Sequence, residues 1–238
     1  MLKQKIKEIA NKFNIEIRRI DQNQIGRNPF FDISKFLKTP NPVIFDIGAN
    51  TGQSVIEFAK YFPDCYINSF EPSPKTFSIL EDKLSNFKNL KLWNKAVGSK
   101  SGHMTFLENT KSDMSSFLPL AETGWGEIVY KTEVEVIDLD GFCMNRQINR
   151  IDILKSDTQG YEFEVFKGAQ NMIANGNIGI IYYEAIFSSM YKDLPSFGEV
   201  FDFLAKHKYS LVTIYPISYQ NNLASWTDLL FVHQSLIQ

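Results

Sequence analysis

The chain has 238 residues, enough for one sizeable α/β domain, and its 44% hydrophobic and 22% charged residues describe an ordinary globular composition. A formal charge of −2 argues against broad electrostatic binding to nucleic acid, and no run approaches the ~20 apolar residues of a membrane span. Cys65 and Cys143 show no C-x-x-C spacing and no nearby histidine pair, which argues against a zinc site or a disulfide framework and fits a reducing cytoplasm.

The N-terminus is basic but lacks an apolar core, so it does not read as a signal peptide. Residues 1 to about 20 read as an amphipathic helix, with Ile6, Ile9, Ala10 and Phe13 at helical spacing and lysines elsewhere. Such a helix lies on the domain surface, on a membrane surface or at a dimer contact. Asn28-Pro29 breaks it, and a short helix over 30–37 precedes the breaker Thr39-Pro40-Asn41-Pro42. Strands and helices then alternate: a strand over 43–47, a helix over 53–61, a strand over 65–70, a helix over 74–85 and a strand over 90–94. This is the βαβαβ opening of a doubly wound parallel sheet. The alternation stops at the turn 98–102. A strand over 103–107, a polar loop and a half-exposed strand over 131–136 read as a small β insertion between strands three and four. Asp138 caps a helix. Strand four covers 151–157, a helix 161–173, strand five 178–184, a helix 196–207, strand six 210–215 and the last strand 227–232.

The first strand ends in Asp46-Ile47-Gly48-Ala49-Asn50-Thr51-Gly52, then a helix. Strand, tight turn and helix leave backbone N–H groups aimed above the strand end, where negative charge is favoured. The turn misses the dinucleotide fingerprint, because Asn50 and Gln53 stand where the second and third glycines belong. It misses a P-loop as well, since Gln53 follows Gly52. The pattern that fits is D-x-G-x-(G/N)-x-G, with Asn50 tolerating the left-handed region. It resembles motif I of class I S-adenosylmethionine (SAM) methyltransferases.

The ends of the first four strands bring Asp46, Glu71, Asn94 and Asp157 to one rim, where ligands bind in open α/β sheets. Glu71, before Pro72, has the spacing of a carboxylate that accepts from both ribose hydroxyls, of SAM or of NAD alike. Asn94 to Gly98, with Ala96 in the middle, would flank an adenine through backbone and small apolar contacts. Asp157 would face the reacting end of the cofactor and orient the acceptor hydroxyl, take its proton or hold a cation; as plain structure it caps the next helix. Lys155 reads as an ion-pair partner of a nearby acid. Glu184 is a second rim carboxylate after Tyr182-Tyr183, and His103 in the insertion is a third candidate for proton transfer. No histidine pair has metal spacing.

Taken in order, Asp46–Gly52, Phe70-Glu71-Pro72-Ser73-Pro74, Asn94–Gly98, Ile137–Asp140, Ile151–Ala169 and Ile180–Ala185 resemble the FkbM family of SAM-dependent methyltransferases. The likeness runs from Val43 to Glu184 and is most specific in the block Lys155–Ala169. It implies a class I, Rossmann-like methyltransferase: a doubly wound, mostly parallel seven-stranded sheet with helices on both faces. Residues 41–238 would be the SAM-binding domain, and 1–40 a helical segment packing on or capping it. It implies O-methyl transfer to a hydroxyl of a sugar, polysaccharide or secondary metabolite, with S-adenosylhomocysteine as product; the expected location, from the free cysteines, is cytoplasmic. Asp46, Gly48, Ala49, Asn50, Thr51, Gly52, Glu71, Pro72, Asn94, Ala96 and Asp157 would line the cofactor site. Ser115 and Ser116 match a serine pair that would touch the adenine side. One departure is Gln159, where the family pattern has Glu; Gln keeps hydrogen bonding but not charge.

In-line transfer gains most from holding oxygen, carbon and sulfur collinear, and the alcohol needs a base, first Asp157 and then His103 or Glu184. A divalent metal is left open, because the carboxylates have no metal spacing. The alternatives are an NAD-dependent oxidoreductase, which lacks its Tyr-x-x-x-Lys here, and a non-catalytic nucleotide-binding domain, which Gln159 favours. The expected partner is a small-molecule acceptor, with a homo-oligomer also open.

Overall fold

Val43-Ile44-Phe45-Asp46-Ile47 is apolar on both faces but for one acid, which suits an interior strand of a parallel sheet. It forms such a strand in the computed structural model, which describes residues 2–15 and 24–237. The chain begins with α1 (Leu2–Lys12) and α2 (Pro29–Ser34). Then come β1 (Val43–Ile47), α3 (Gln53–Tyr61), β2 (Tyr66–Phe70), α4 (Pro74–Leu84) and β3 (Leu90–Trp93). The insertion holds β4 (Ala96–Val97), β5 (Gly102–Asn109) and β6 (Ile128–Ile137). After it come α5 (Leu139–Arg146), β7 (Ile151–Ser156), α6 (Glu162–Gly168), α7 (Gln170–Ala174) and β8 (Ile178–Ile186). The chain closes with α8 (Phe197–Lys206), β9 (Tyr209–Ile214), β10 (Ser218–Gln220) and β11 (Leu223–His233).

The main sheet runs β10-β11-β8-β7-β1-β2-β3, with β9 beside β10 on the edge of β11 that faces away from β8. β3, β2, β1, β7 and β8 are parallel, and β11 is antiparallel to β8 and β9. β7 is buried along its whole length because helices cover both faces. One apolar layer packs Phe45, Phe70, Phe142, Leu154 and Phe166; the other packs Ile33, Ile44, Phe58, Leu80 and Ile153. Local chemistry sets the helix starts. Ser73 accepts from Thr76 N–H ahead of Pro74, and Asp138 accepts from Gly141 N–H at 2.7 Å. Ser196 and Glu199 form a capping box.

Three details depart from expectation. The main sheet has eight strands, because β10 adds a hairpin to β11 through the turn Asn221-Asn222, both residues at positive φ. Paired Asn residues there are a two-residue hairpin signal that the sequence carries. The helix expected over 161–173 is broken at Ala169, and Asp140 accepts from Asn171 and Met172 N–H, capping the second piece. The first helix ends at Lys12, and residues 16–20 of its expected span lie outside the described residues. Its Ile6, Ile9 and Phe13 are exposed, and Ala10 is buried.

Residues 24–40 are tied to the sheet. Asp32 is fully buried, and its Oδ2 accepts from Gly26 N–H (2.8 Å) and Tyr215 O–H (3.1 Å). Asn28 Nδ2 donates to Tyr61 Oη at 2.8 Å, and Phe30 stacks on Tyr61. These contacts bring Phe30 to the rim. The insertion makes a separate sheet, β4-β6-β5, over the same rim.

Candidate active site

The sheet order reverses between β1 and β7, and there the two strand ends part. Gly48 has φ 77°, and a Cβ on it would stand 1.9 Å from the Asp157 carbonyl oxygen, so only glycine lets the β1 turn pass under the β7 loop. Asn50 adopts φ 47°, as its place in the motif requires. Its backbone N–H donates to Glu71 Oε2 at 3.0 Å, and its side-chain oxygen accepts from Ser112 Oγ of the insertion at 3.2 Å.

Lys155 lies between the two strand-end acids. Its Nζ is 3.1 Å from Asp46 Oδ1 and 3.6 Å from Asp157 Oδ2, and it donates to Gly48 O at 3.1 Å. Burial lowers the pKa of this ammonium, but Asp46 and Asp157 together raise it further, so it stays charged. Asp46 is fully buried and also accepts from Ser54 Oγ at 2.8 Å. It anchors the turn instead of reaching into a cleft. The Asp157 side chain is 41% exposed and reachable from solvent.

Two clefts meet at this point. The first, about 610 Å³, has apolar walls from Phe70, Val97, Phe106, Phe117 and Tyr161, with Glu71, Pro72, Ala96 and Ser115 on its edge. The second, about 760 Å³, is lined by Phe30, Ala49, Gln53, Ser54, Lys155, Tyr182, Glu184 and Asp228. Gly48, Asn50, Asp113 and Asp157 line both. The first has the wall chemistry of an adenosine site: aromatic faces for a base and one carboxylate for a ribose.

Glu71 is buried and accepts from Asn50 and Ser73 N–H. Burial pushes its carboxyl up to about 7, against the lowering effect of those N–H groups and of Lys155. The ionised form is the better acceptor for two hydroxyls. Nucleoside binding at this carboxylate is therefore expected to tighten by up to about tenfold from pH 6 to pH 8, with proton release. Calorimetric titration with S-adenosylhomocysteine in buffers of different ionisation enthalpy reads both effects. An unchanged Kd would remove Glu71 from the site.

Of the expected site residues, Gly48, Asn50, Glu71, Pro72, Ala96, Ser115 and Asp157 line the first cleft, and Ala49 and Glu184 the second. Others stand behind the walls. Asn94 is not a lining residue; its Nδ2 donates to the Glu71 and Pro72 carbonyls and shapes the loop that carries Glu71. Ser116 is buried and donates to Gln159 O at 2.8 Å. Gly52, at φ 87°, lies against Leu80 and Leu84 of α4, and Thr51 lines neither cleft. His103 is exposed, opposite Glu135 in β5–β6, and lines neither cleft, because it is three residues from the cleft-lining Phe106 and so faces the other side of the strand.

Sequence reasoning missed Phe30, Phe106, Asp113, Phe117, Tyr161, Tyr191 and Asp228. Tyr161 had a signal, since it lies inside the most specific motif block. The aromatic insertion residues are brought in by tertiary packing and had none. Tyr182 O–H donates to Asp228 Oδ2 at 2.6 Å, a pairing set by the β8–β11 register. Among the described residues no cluster of three or more His, Cys, Asp or Glu could hold a metal ion, and no helix is long and apolar enough to cross a membrane.

The β3-β2-β1-β7-β8-β11-β9 sheet, with a nucleoside-shaped cleft at its switch point, defines a class I methyltransferase. The model of the methyltransferase FkbM domain matches residues 46–211, more than half of the chain, and the chain belongs to that family. It is 25% identical over 195 residues to 2-O-methyltransferase NoeI of Sinorhizobium fredii, covering 77% of this chain and 79% of that one. It is 28% identical over 161 residues to methyltransferase sdnD of Sordaria araneosa, covering 54% and 60%. A solved rRNA methylase from Streptococcus thermophilus shares the fold at a TM-score of 0.50 and 8% identity, over 88% of this chain and 99% of that one. The protein is a SAM-dependent methyltransferase.

The cofactor fits the residues present. Glu71 would hold the ribose, and Phe70, Val97 and Phe117 would flank the base. The backbone of the Gly48–Asn50 turn would take the methionine end.

Proposed function

We propose that the protein transfers the methyl group of SAM to a hydroxyl of a sugar or glycoconjugate. The observation that carries this reading is Asp157, exposed on the ridge that both clefts share. SAM supplies an electrophilic methyl on a sulfonium. Asp157 orients the acceptor O–H and accepts its proton as the C–O bond forms and the C–S bond breaks. Glu184 and Asp228 accept hydrogen bonds from neighbouring hydroxyls, and Phe30 and Tyr182 offer aromatic faces to the C–H side of a pyranose. The relative named as a 2-O-methyltransferase supports oxygen as the acceptor atom.

Among the described residues the second cleft is lined by four acids, Asp113, Asp157, Glu184 and Asp228, and one cation, Lys155, which Asp46 and Asp157 already engage. That balance favours neutral acceptors over phosphorylated ones and disfavours RNA. The reaction would run in the cytoplasm, in keeping with two free buried thiols, Cys65 and Cys143. Residues 24–40 would cap the core at the rim, with Phe30 their contribution to acceptor binding.

A screen of S-adenosylhomocysteine release tests the acceptor class. Free sugars, glycosides and polysaccharide fragments are expected to turn over, and the matching sugar phosphates at least about tenfold more slowly. Faster turnover of sugar phosphates or of RNA would overturn the assignment.

A further inference from the structure

The Asp157-Thr158-Gln159-Gly160 loop turns back on itself, with Gln159 at φ 56° and Gly160 at φ 92°. A left-handed non-glycine residue costs about 1 kcal/mol unless its surroundings hold it there. Gln159 is held at four points. Its Nε2 donates to Asp157 Oδ1 at 3.0 Å and to Glu184 Oε2 at 2.9 Å. Its Oε1 accepts from Tyr191 O–H at 3.0 Å, and its carbonyl from Ser116 Oγ at 2.8 Å. The amide orientation follows from these partners. Turning it over would set an acceptor oxygen against two carboxylates and leave Tyr191 facing an N–H.

One nitrogen therefore sits within 3.0 Å of oxygens from two carboxylates, one in the loop after β7 and one in β8. It spends both its protons on them, with no net charge. Those are the contacts a small cation would make. A glutamate at position 159 would put a third carboxylate at the same point, with three acidic groups converging and, among the described residues, Lys155, 3.6 Å from Asp157, to offset them. Three oxygen donors at one point make a divalent cation site of the hard-ligand type.

We infer that Gln159 is a positioning residue whose amide takes the place of a cation between Asp157 and Glu184, holding the pair in register without metal. Its neutrality adapts the motif block and leaves it functional. The inference rests on the reading of Asp157 and Glu184 as the acceptor-side pair. The test below needs no acceptor, so the two can fail separately.

Calorimetric titration of the full-length protein with Mn2+, with Mn2+ electron paramagnetic resonance alongside, tests it. Gln159→Glu is nearly isosteric and is expected to bind Mn2+ at least about tenfold more tightly than the unsubstituted protein. Its thermal midpoint, lowered without metal, should recover on adding Mn2+. Asp157→Asn in the Gln159→Glu background should abolish the gain, which a fold defect elsewhere would not do. The inference is overturned if Gln159→Glu, shown folded by circular dichroism, gains no Mn2+ affinity. It is equally overturned if the unsubstituted protein binds Mn2+ and Asp157→Asn with Glu184→Gln removes that binding.

Discussion

Asp157→Asn is expected to lower the rate of methyl transfer by about 10²–10⁴-fold and to leave cofactor affinity within about threefold. The split follows from what the side chain touches. Its oxygens face Gln159 Nε2 and Lys155 Nζ, and it lines both clefts without holding the Glu71 end of the first. Asparagine keeps the shape, and its oxygen still accepts from Gln159. The ability to take a proton is lost, along with the negative charge that faces Lys155 at 3.6 Å, while Lys155 keeps Asp46 as its closer partner. Single-turnover rates on a working acceptor, with cofactor Kd measured separately, read the two effects. A fall of less than tenfold in the chemical step would move the base to Glu184, where Glu184→Gln should then carry the loss.

The second large effect concerns Lys155. Replacing it by methionine keeps the bulk of the side chain and removes the charge. Asp46 would then be a buried carboxylate left with Ser54 and Ser69 hydroxyls, at 2.8 and 3.4 Å. Breaking one side of a buried ion pair costs about 3–5 kcal/mol. At roughly 2–4 °C per kcal/mol for a chain of this size, the thermal midpoint should drop by on the order of 10 °C. The turn would suffer too, because Lys155 also donates to the Gly48 carbonyl. Adding Asp46→Asn to Lys155→Met should recover part of the loss, and the double-mutant cycle isolates the pair. Chemical denaturation of the four proteins measures it. A Lys155→Met variant as stable as the parent would mean that Asp46 finds another partner.

These two residues mark where sequence reasoning succeeds and where it stops. The turn at Gly48 and Asn50 and the strand-end carboxylate Glu71 were legible as parts of one rim because a strand, a tight turn and the next strand end are local, whereas Asp46, expected to line the cofactor site, is buried beneath the turn. Lys155 could be read as the partner of some acid. That it bridges the ends of β1 and β7 depends on their parallel register, Asp46 beside Lys155, which periodicity does not specify. The insertion was legible as strands but not as a wall. Phe106 and Phe117 reach the cofactor cleft only because β4-β6-β5 folds over the rim, and their spacing looks like that of any packed hairpin. His103 shows the reverse error: a residue chosen for its chemistry within the insertion, turned to the solvent face of β5 by the alternation that aims Phe106 at the cleft. Gln159 looked like a lost charge in the sequence. In the fold it is the group that four others converge on.

The reading turns on the atom that receives the methyl group. Incubating the protein with SAM carrying a carbon-13 methyl and the sugar acceptor found by turnover, then recording the carbon-13 spectrum of the product, identifies that atom. One O-methyl resonance is expected, and it should be lost in Asp157→Asn. A methyl group on nitrogen or carbon, or an O-methyl product formed at full rate by Asp157→Asn, would contradict it.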